Sequence, residues 1–149
     1  MPVQPHPHYE ILDQSVFHLL RVALQEHTTL WNERVGAGPT AECTKPQYAV
    51  LRAVEADPGL DQASAAQVAG SDKATVAALL ERLEDRCLVR REVDPLDRRR
   101  RKLYLTEQGQ SLLASVGPVV IDLNQELLSR LSQSEQADLV ILLRKLARR

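Results

Sequence analysis

The sequence predicts a mainly α fold that carries one small antiparallel β hairpin. Three observations lead there. Apolar residues recur at three- and four-residue spacing along most of the 149 residues, the period of one helix face. Ala, Leu and Val dominate the apolar set, and only Tyr9, Phe17, Trp31, Tyr48 and Tyr104 are aromatic; that balance favours helix over sheet. Residues 88–105 change to period two around a Pro- and Arg-rich centre, the pattern of two short strands and their loop.

The first helix is expected over residues 9–34, where Ile11, Leu12, Val16, Leu19, Leu20, Ala23, Leu24, Leu30 and Trp31 return near helical spacing. Gly36-Ala37-Gly38-Pro39 breaks it. A second begins near Thr44 or Lys45, with Pro46 in its first turn where a missing N–H costs nothing. It buries Val50, Leu51 and Val54 and stops at Asp57-Pro58-Gly59. Asp61 caps a short third helix over 62–69 that Gly70 ends. Ser71 or Asp72 caps a fourth, reaching about Arg86, with Val76, Leu79, Leu80 and Leu83 on one stripe. Two short helices across a tight glycine turn form a helix-turn-helix candidate.

Residues 88–93 and 102–105 then read as a hairpin whose loop, 94–101, is turned by Pro95. A hairpin directly behind a helix-turn-helix is a wing. Thr106 caps the next helix, expected from Glu107 to about Leu131. Gly117-Pro118 is placed to kink it, because Pro118 lacks a backbone donor. Ser132-Gln133-Ser134-Glu135 is a capping box that opens a last helix reaching Leu146. Leu139, Val140, Leu142, Leu143 and Leu146 nearly encircle that helix, and one thin protomer would expose them as a large patch. The expected organisation is therefore a single domain, 1–149, with a winged helix-turn-helix lobe at 44–106. Helices at 9–34 and 107–148 pair with a second copy as a homodimer.

The formal net charge is only -1, but it is unevenly spread. Residues 82–102 hold nine of the 19 Lys and Arg and five of the 20 Asp and Glu, so this segment is +4 and the rest -5. A basic patch on an acidic body is a footprint for a polyanion.

The wing sequence Asp94-Pro95-Leu96-Asp97-Arg98-Arg99-Arg100-Arg101, followed by Leu103-Tyr104-Leu105-Thr106-Glu107-Gln108-Gly109, resembles the MarR family of winged helix-turn-helix regulators. The family's Asp-x-Arg falls on Asp97 and Arg99, and its Leu-Thr-x-x-Gly on 105–109. The resemblance covers essentially the whole chain. It implies a transcriptional regulator, expected to act as a repressor, that binds double-stranded DNA on a pseudo-palindrome as a homodimer. A small, often anionic aromatic effector releases it. The stretch from Asp61-Gln62-Ala63-Ser64 to Asp72-Lys73-Ala74-Thr75 looks like the branch that regulates aromatic-acid catabolism, so an aromatic acid or its thioester is the expected effector. The chain departs from the family at Ala77-Ala78, where Thr-Arg is common, and at Cys87, where Gly is usual. A left-handed residue with a Cβ costs roughly 1 kcal/mol, so the fourth helix is expected to end differently.

The candidate DNA-binding residues follow. In the wing, Arg98, Arg99, Arg100 and Arg101 can enter a narrow, electronegative minor groove, and Asp97 can hold a guanidinium in a forked geometry. With Val76, Leu79, Leu80 and Leu83 inward, the fourth helix presents Lys73, Thr75, Ala77, Ala78 and Arg82 to a major groove. At Ala77-Ala78 a bidentate arginine–guanine contact is lost, leaving methyl contacts with thymine. For the effector, the candidate lining is His27, Trp31, Arg34 and Tyr48, which mix flat apolar surface with polar ends.

The sequence also argues against several classes. No run of about 18 apolar residues is present, and residues 1–8 lack an apolar signal core, so the expected location is cytoplasmic. His6, His8, His18 and His27 make no metal constellation, and no nucleophile elbow, phosphate loop or cofactor motif occurs, so neither catalysis nor a cofactor is expected. Cys43 and Cys87 read as small hydrophobes rather than sensors. A thiol-based redox regulator remains as an alternative, and a helical protein-interaction adaptor as a second. The adaptor leaves the arginine wing without a role.

Overall fold

The computed structural model of the chain describes residue 12, residues 14–36 and residues 43–147. Expectations for residues 9–11 and for Gly38-Pro39 lie outside them. The elements run α1 (Val16–Arg34), α2 (Lys45–Ala56), β1 (Leu60–Asp61), α3 (Gln62–Ala69), α4 (Lys73–Asp85), β2 (Val89–Val93), β3 (Arg101–Leu105), α5 (Glu107–Leu127) and α6 (Gln133–Leu146). They form two compact units. One comprises the described residues from 35 to 120, the other those up to Arg34 and from Ile121 onward.

In the 35–120 unit, each helix starts where a side chain satisfies its first free N–H groups. Thr44 and Gln47 form a reciprocal capping box on α2, Asp61 caps α3 and Asp72 caps α4. The apolar faces so aligned enclose Val50, Leu51, Val54, Ala65, Val76, Leu80, Leu83, Leu103 and Leu113. Gly70 ends α3 in the left-handed region, φ 63°, which makes the tight turn into α4.

The sheet has three antiparallel strands in the order β1-β3-β2. Val89 faces Leu105 and Val93 faces Arg101, so the hairpin is in full register. The third strand, β1, is absent from the sequence-based expectation. Two residues carry no period; they become a strand because Leu60 pairs with Leu103, far along the chain.

The end of α4 corrects another expectation. Cys87 does take the left-handed conformation, φ 54°. Its N–H donates to Glu84 O at 2.8 Å and that of Leu88 to Leu83 O at 2.8 Å. Together these make a Schellman motif, with Leu83 and Leu88 both in the core. The Thr106 hydroxyl donates to the Cys87 carbonyl, and the Thr106 N–H to that of Leu88. Thr106 also caps α5, accepting the Gly109 N–H at 3.0 Å. A Cβ on Gly109 would stand 2.1 Å from the Leu88 carbonyl oxygen, so only glycine fits. The Thr-x-x-Gly pattern is thus a joint between the start of α5 and the end of α4.

In the other unit, Leu30, Trp31 and Leu123 are buried. Arg34 pairs with Glu126, and the Ser132–Glu135 capping box opens α6 as expected. Helix α5 runs through Pro118 and ends at Leu127, short of the expected Leu131. None of α6 is buried: Val140, Ile141, Leu142, Leu143 and Leu146 are all exposed, as is Phe17 on α1 at 85%.

Candidate nucleic-acid interface

The interface is built on α4. Its first turn is fixed by Asp72, whose carboxylate accepts the Thr75 N–H at 2.8 Å and faces the Thr75 hydroxyl at 3.2 Å. These hydrogen bonds hold Asp72 below the usual carboxylate range. Val76, Leu79, Leu80 and Leu83 are buried as expected. Lys73, Thr75, Ala78 and Arg82 are exposed, and Ala77 is half-buried.

The wing loop is held by two aspartates. Asp94 accepts the Leu96 N–H at 2.9 Å and lies 3.4 Å from Lys102 Nζ. The Leu96 N–H first, then Lys102, hold it below the usual range. Asp97 accepts the Arg99 N–H at 3.0 Å and its carbonyl that of Arg100 at 2.9 Å. Its carboxylate faces Arg100 Nε at 3.6 Å, a single contact rather than the forked geometry expected. Asp97 builds the turn and steadies Arg100.

The basic residues from Arg90 to Lys102 therefore divide by role. Arg90 stacks over the Tyr104 ring at 4.7 Å and pairs with Glu92. Arg91 donates to Glu84 at 2.7 Å, tying β2 to α4. Lys102 is engaged by Asp94. Among the described residues, no ion pair involves Arg98, Arg99 or Arg101, and all three are exposed.

Two clefts flank α4. The first, of about 330 Å³, is lined by Lys73, Arg99, Arg100 and Arg101 together with Asp61, Gln62 and Ala63. The second, of about 460 Å³, is lined by Thr75, Ala78 and Arg82 with Thr44, Pro46, Gln47, Ser71 and Leu79. Lys73 and three wing arginines are thus brought together, and Thr75, Ala78 and Arg82 likewise. Ala77, Asp97 and Arg98 line neither. Sequence reasoning missed Asp61 and Gln62, which looked like a helix cap and its neighbour. Only the pairing of β1 with β3 brings them to the wing.

The proposed effector residues fall in different units. His27 and Trp31 meet edge-on, centroids 6.2 Å apart, and Arg34 follows on the same helix, paired with Glu126. Tyr48 packs on the core of the 35–120 unit. Of the thiols, Cys87 is exposed and Cys43 buried. Burial pushes Cys43 up against the smaller opposing effect of Arg86, which disfavours the reactive thiolate. Among the described residues no His, Cys, Asp or Glu cluster could hold a metal ion, and no helix is long and apolar enough to cross a membrane.

A helix-turn-helix followed by an arginine-rich wing, with cations converging beside the first turn of its second helix, defines a winged-helix DNA-binding protein. The MarR family matches residues 43–100. The transcriptional regulator HosA of Escherichia coli O111:H- is 43% identical over 135 residues, covering 91% of this chain and 96% of that one. The chain belongs to the MarR family of transcriptional regulators.

Solved structures agree. The PcaV regulator of Streptomyces coelicolor, in complex with its natural ligand, superposes with a TM-score of 0.84 at 39% identity, covering 91% of this chain and 94% of that one. BpsR of Bordetella bronchiseptica, whose DNA binding is regulated by 6-hydroxynicotinic acid, gives 0.83 at 29% identity and 97% coverage of both chains. The transcriptional repressor CouR, bound to a 23-mer DNA duplex, gives 0.82 at 27% identity, covering 91% and 94%.

Proposed function

We propose that the chain is a cytoplasmic, homodimeric repressor that holds a pseudo-palindromic operator and is released by a small aromatic acid or its thioester. The observation that carries this reading is the cationic cleft where Lys73 meets Arg99, Arg100 and Arg101. Such a cluster attracts phosphate, and the exposed face of α4 beside it suits a major groove. The repressor CouR on its duplex supports the mode of action. BpsR and PcaV support a small effector. The exposed leucines of α6 and Phe17 of α1 supply an apolar surface for a second copy, which would set two α4 helices about one duplex turn apart.

His27, Trp31 and Arg34 lie at i, i+4 and i+7 on α1, one face of the helix. Two rings and a guanidinium suit an aromatic carboxylate. Tenfold release of operator requires about 1.4 kcal/mol of preference for the DNA-incompetent state. The effector, not oxidation, exerts control in this reading: Cys43→Ser with Cys87→Ser is expected to leave both DNA binding and its release intact.

The test is a gel-shift titration on duplexes selected by the protein from a random pool. Arg99→Ala is expected to weaken binding by roughly 1–3 kcal/mol, and Arg101→Ala by less. Equal, negligible losses at both positions would remove the wing from the interface. Release of DNA by low peroxide, abolished in the double cysteine variant, would make the protein a redox switch instead.

A further inference from the structure

The cleft of about 330 Å³ has walls from three places: the start of α3 (Asp61, Gln62, Ala63), the first residue of α4 (Lys73) and the wing (Arg99, Arg100, Arg101). It lies between two elements that address different grooves. A helix in a major groove and a wing in the adjacent minor groove must straddle the sugar-phosphate strand that separates those grooves.

We infer that this cleft seats that strand, with Lys73, Arg99 and Arg101 as its phosphate ligands, and that Asp61 is a built-in brake on backbone affinity. The inference rests on the DNA-binding reading above and names the part of the duplex the cleft receives. Asp61 is the one carboxylate on the cleft walls among the described residues. It cannot swing away. Its backbone pairs with Lys102 in the sheet, and its side chain accepts the Ser64 N–H at 2.8 Å to cap α3.

The cap requires an acceptor, not a charge, because Asn and Ser cap helices about as well as Asp. The fold therefore does not need a negative charge in a phosphate-binding cleft. Hydrogen bonding from Ser64, and less strongly the positive charge of Arg100, hold Asp61 below the usual carboxylate range. Arg100 only partly answers that charge. It also borders a second pocket, of about 270 Å³, with Asp57, Asp61, Asp94 and Lys102, and it pairs with Asp97. Asp61, Asp94 and Asp97 thus share its charge, whereas among the described residues no ion pair engages Arg99 or Arg101.

The experiment compares wild type, Asp61→Asn and Asp61→Ser by fluorescence anisotropy over a range of salt, on one selected duplex and one unrelated duplex of equal length. A carboxylate and a phosphate about 7 Å apart across a solvated cleft repel enough to change affinity about three- to tenfold at low salt. Both variants are expected to bind both duplexes tighter by that common factor, since the backbone term is blind to sequence. The gain fades as salt rises, while both variants still unfold in one cooperative transition close to that of wild type, because the cap keeps its acceptor. Unchanged or weakened binding by both variants, beside normal binding by wild type, overturns this inference alone. So does a gain with Asn but not Ser, which assigns the effect to the amide, or a gain on the selected duplex only, which makes Asp61 a base reader. A wild-type chain that binds neither duplex overturns the repressor reading and this inference together.

Discussion

Cys87 shows what a single residue adds that the surrounding pattern does not reveal. The residue types at its position and beyond indicate that α4 stops and a strand begins. A Cβ in the left-handed region argues against the glycine-like ending that the structure contains. The strain is offset non-locally, by Thr106 on the Cys87 carbonyl and by the Leu83–Leu88 contact in the core. Replacing Cys87 by Gly is expected to stabilise the protein by about 1 kcal/mol, raising the calorimetric midpoint by about 2–4 °C. A lower midpoint would show that the thiol contributes packing its exposure conceals. Asp97 is a parallel case. Beside four arginines it reads as an ion-pair partner, yet its stronger contact is the Arg99 N–H. A turn cap was the other reading open to Asp97, and the charge run outweighed it.

At the scale of elements, α2, α3, α4 and α6 were legible because each carries its own start signal: Thr44, Asp61, Asp72 and Ser132 all cap where they stand. Strand β1 was not, since its only warrant is a partner more than forty residues away. The same capping groups set an acid limit on stability. Backbone N–H groups hold Asp61, Asp72, Asp94 and Glu135 below their ordinary values. A carboxyl depressed in the folded state contributes stability above its unfolded pKa, and that contribution disappears as pH falls through the folded one. Urea titrations should show stability nearly level from neutral pH down to about 5 and declining below about 4, near the unfolded carboxylate values. Asp72→Asn should flatten part of that decline. A loss centred between pH 6 and 7 would implicate histidine instead.

At the scale of the whole molecule, the sequence indicated helical ends too apolar to stand alone, and Leu146 at 63% exposed, with Leu142 and Leu143 beside it, bears the surface that follows. Leu142→Glu with Leu143→Glu would place charge on that surface, where an unpaired carboxylate buried by a second copy is strongly unfavourable. Sedimentation should then show monomer or unfolded chain; an intact dimer with full DNA binding would put the contact elsewhere. The joint around Cys87, Leu88, Thr106 and Gly109 has a consequence for how such a dimer measures DNA. It rivets the tail of α4, the root of the hairpin and the head of α5 through hydrogen bonds and a contact with no room for a Cβ. The 35–120 unit is therefore a caliper locked at one opening: the interval from α4 to the root of the wing is set by the fold. In the dimer proposed above, only the gap between two such calipers would be left for a ligand to adjust.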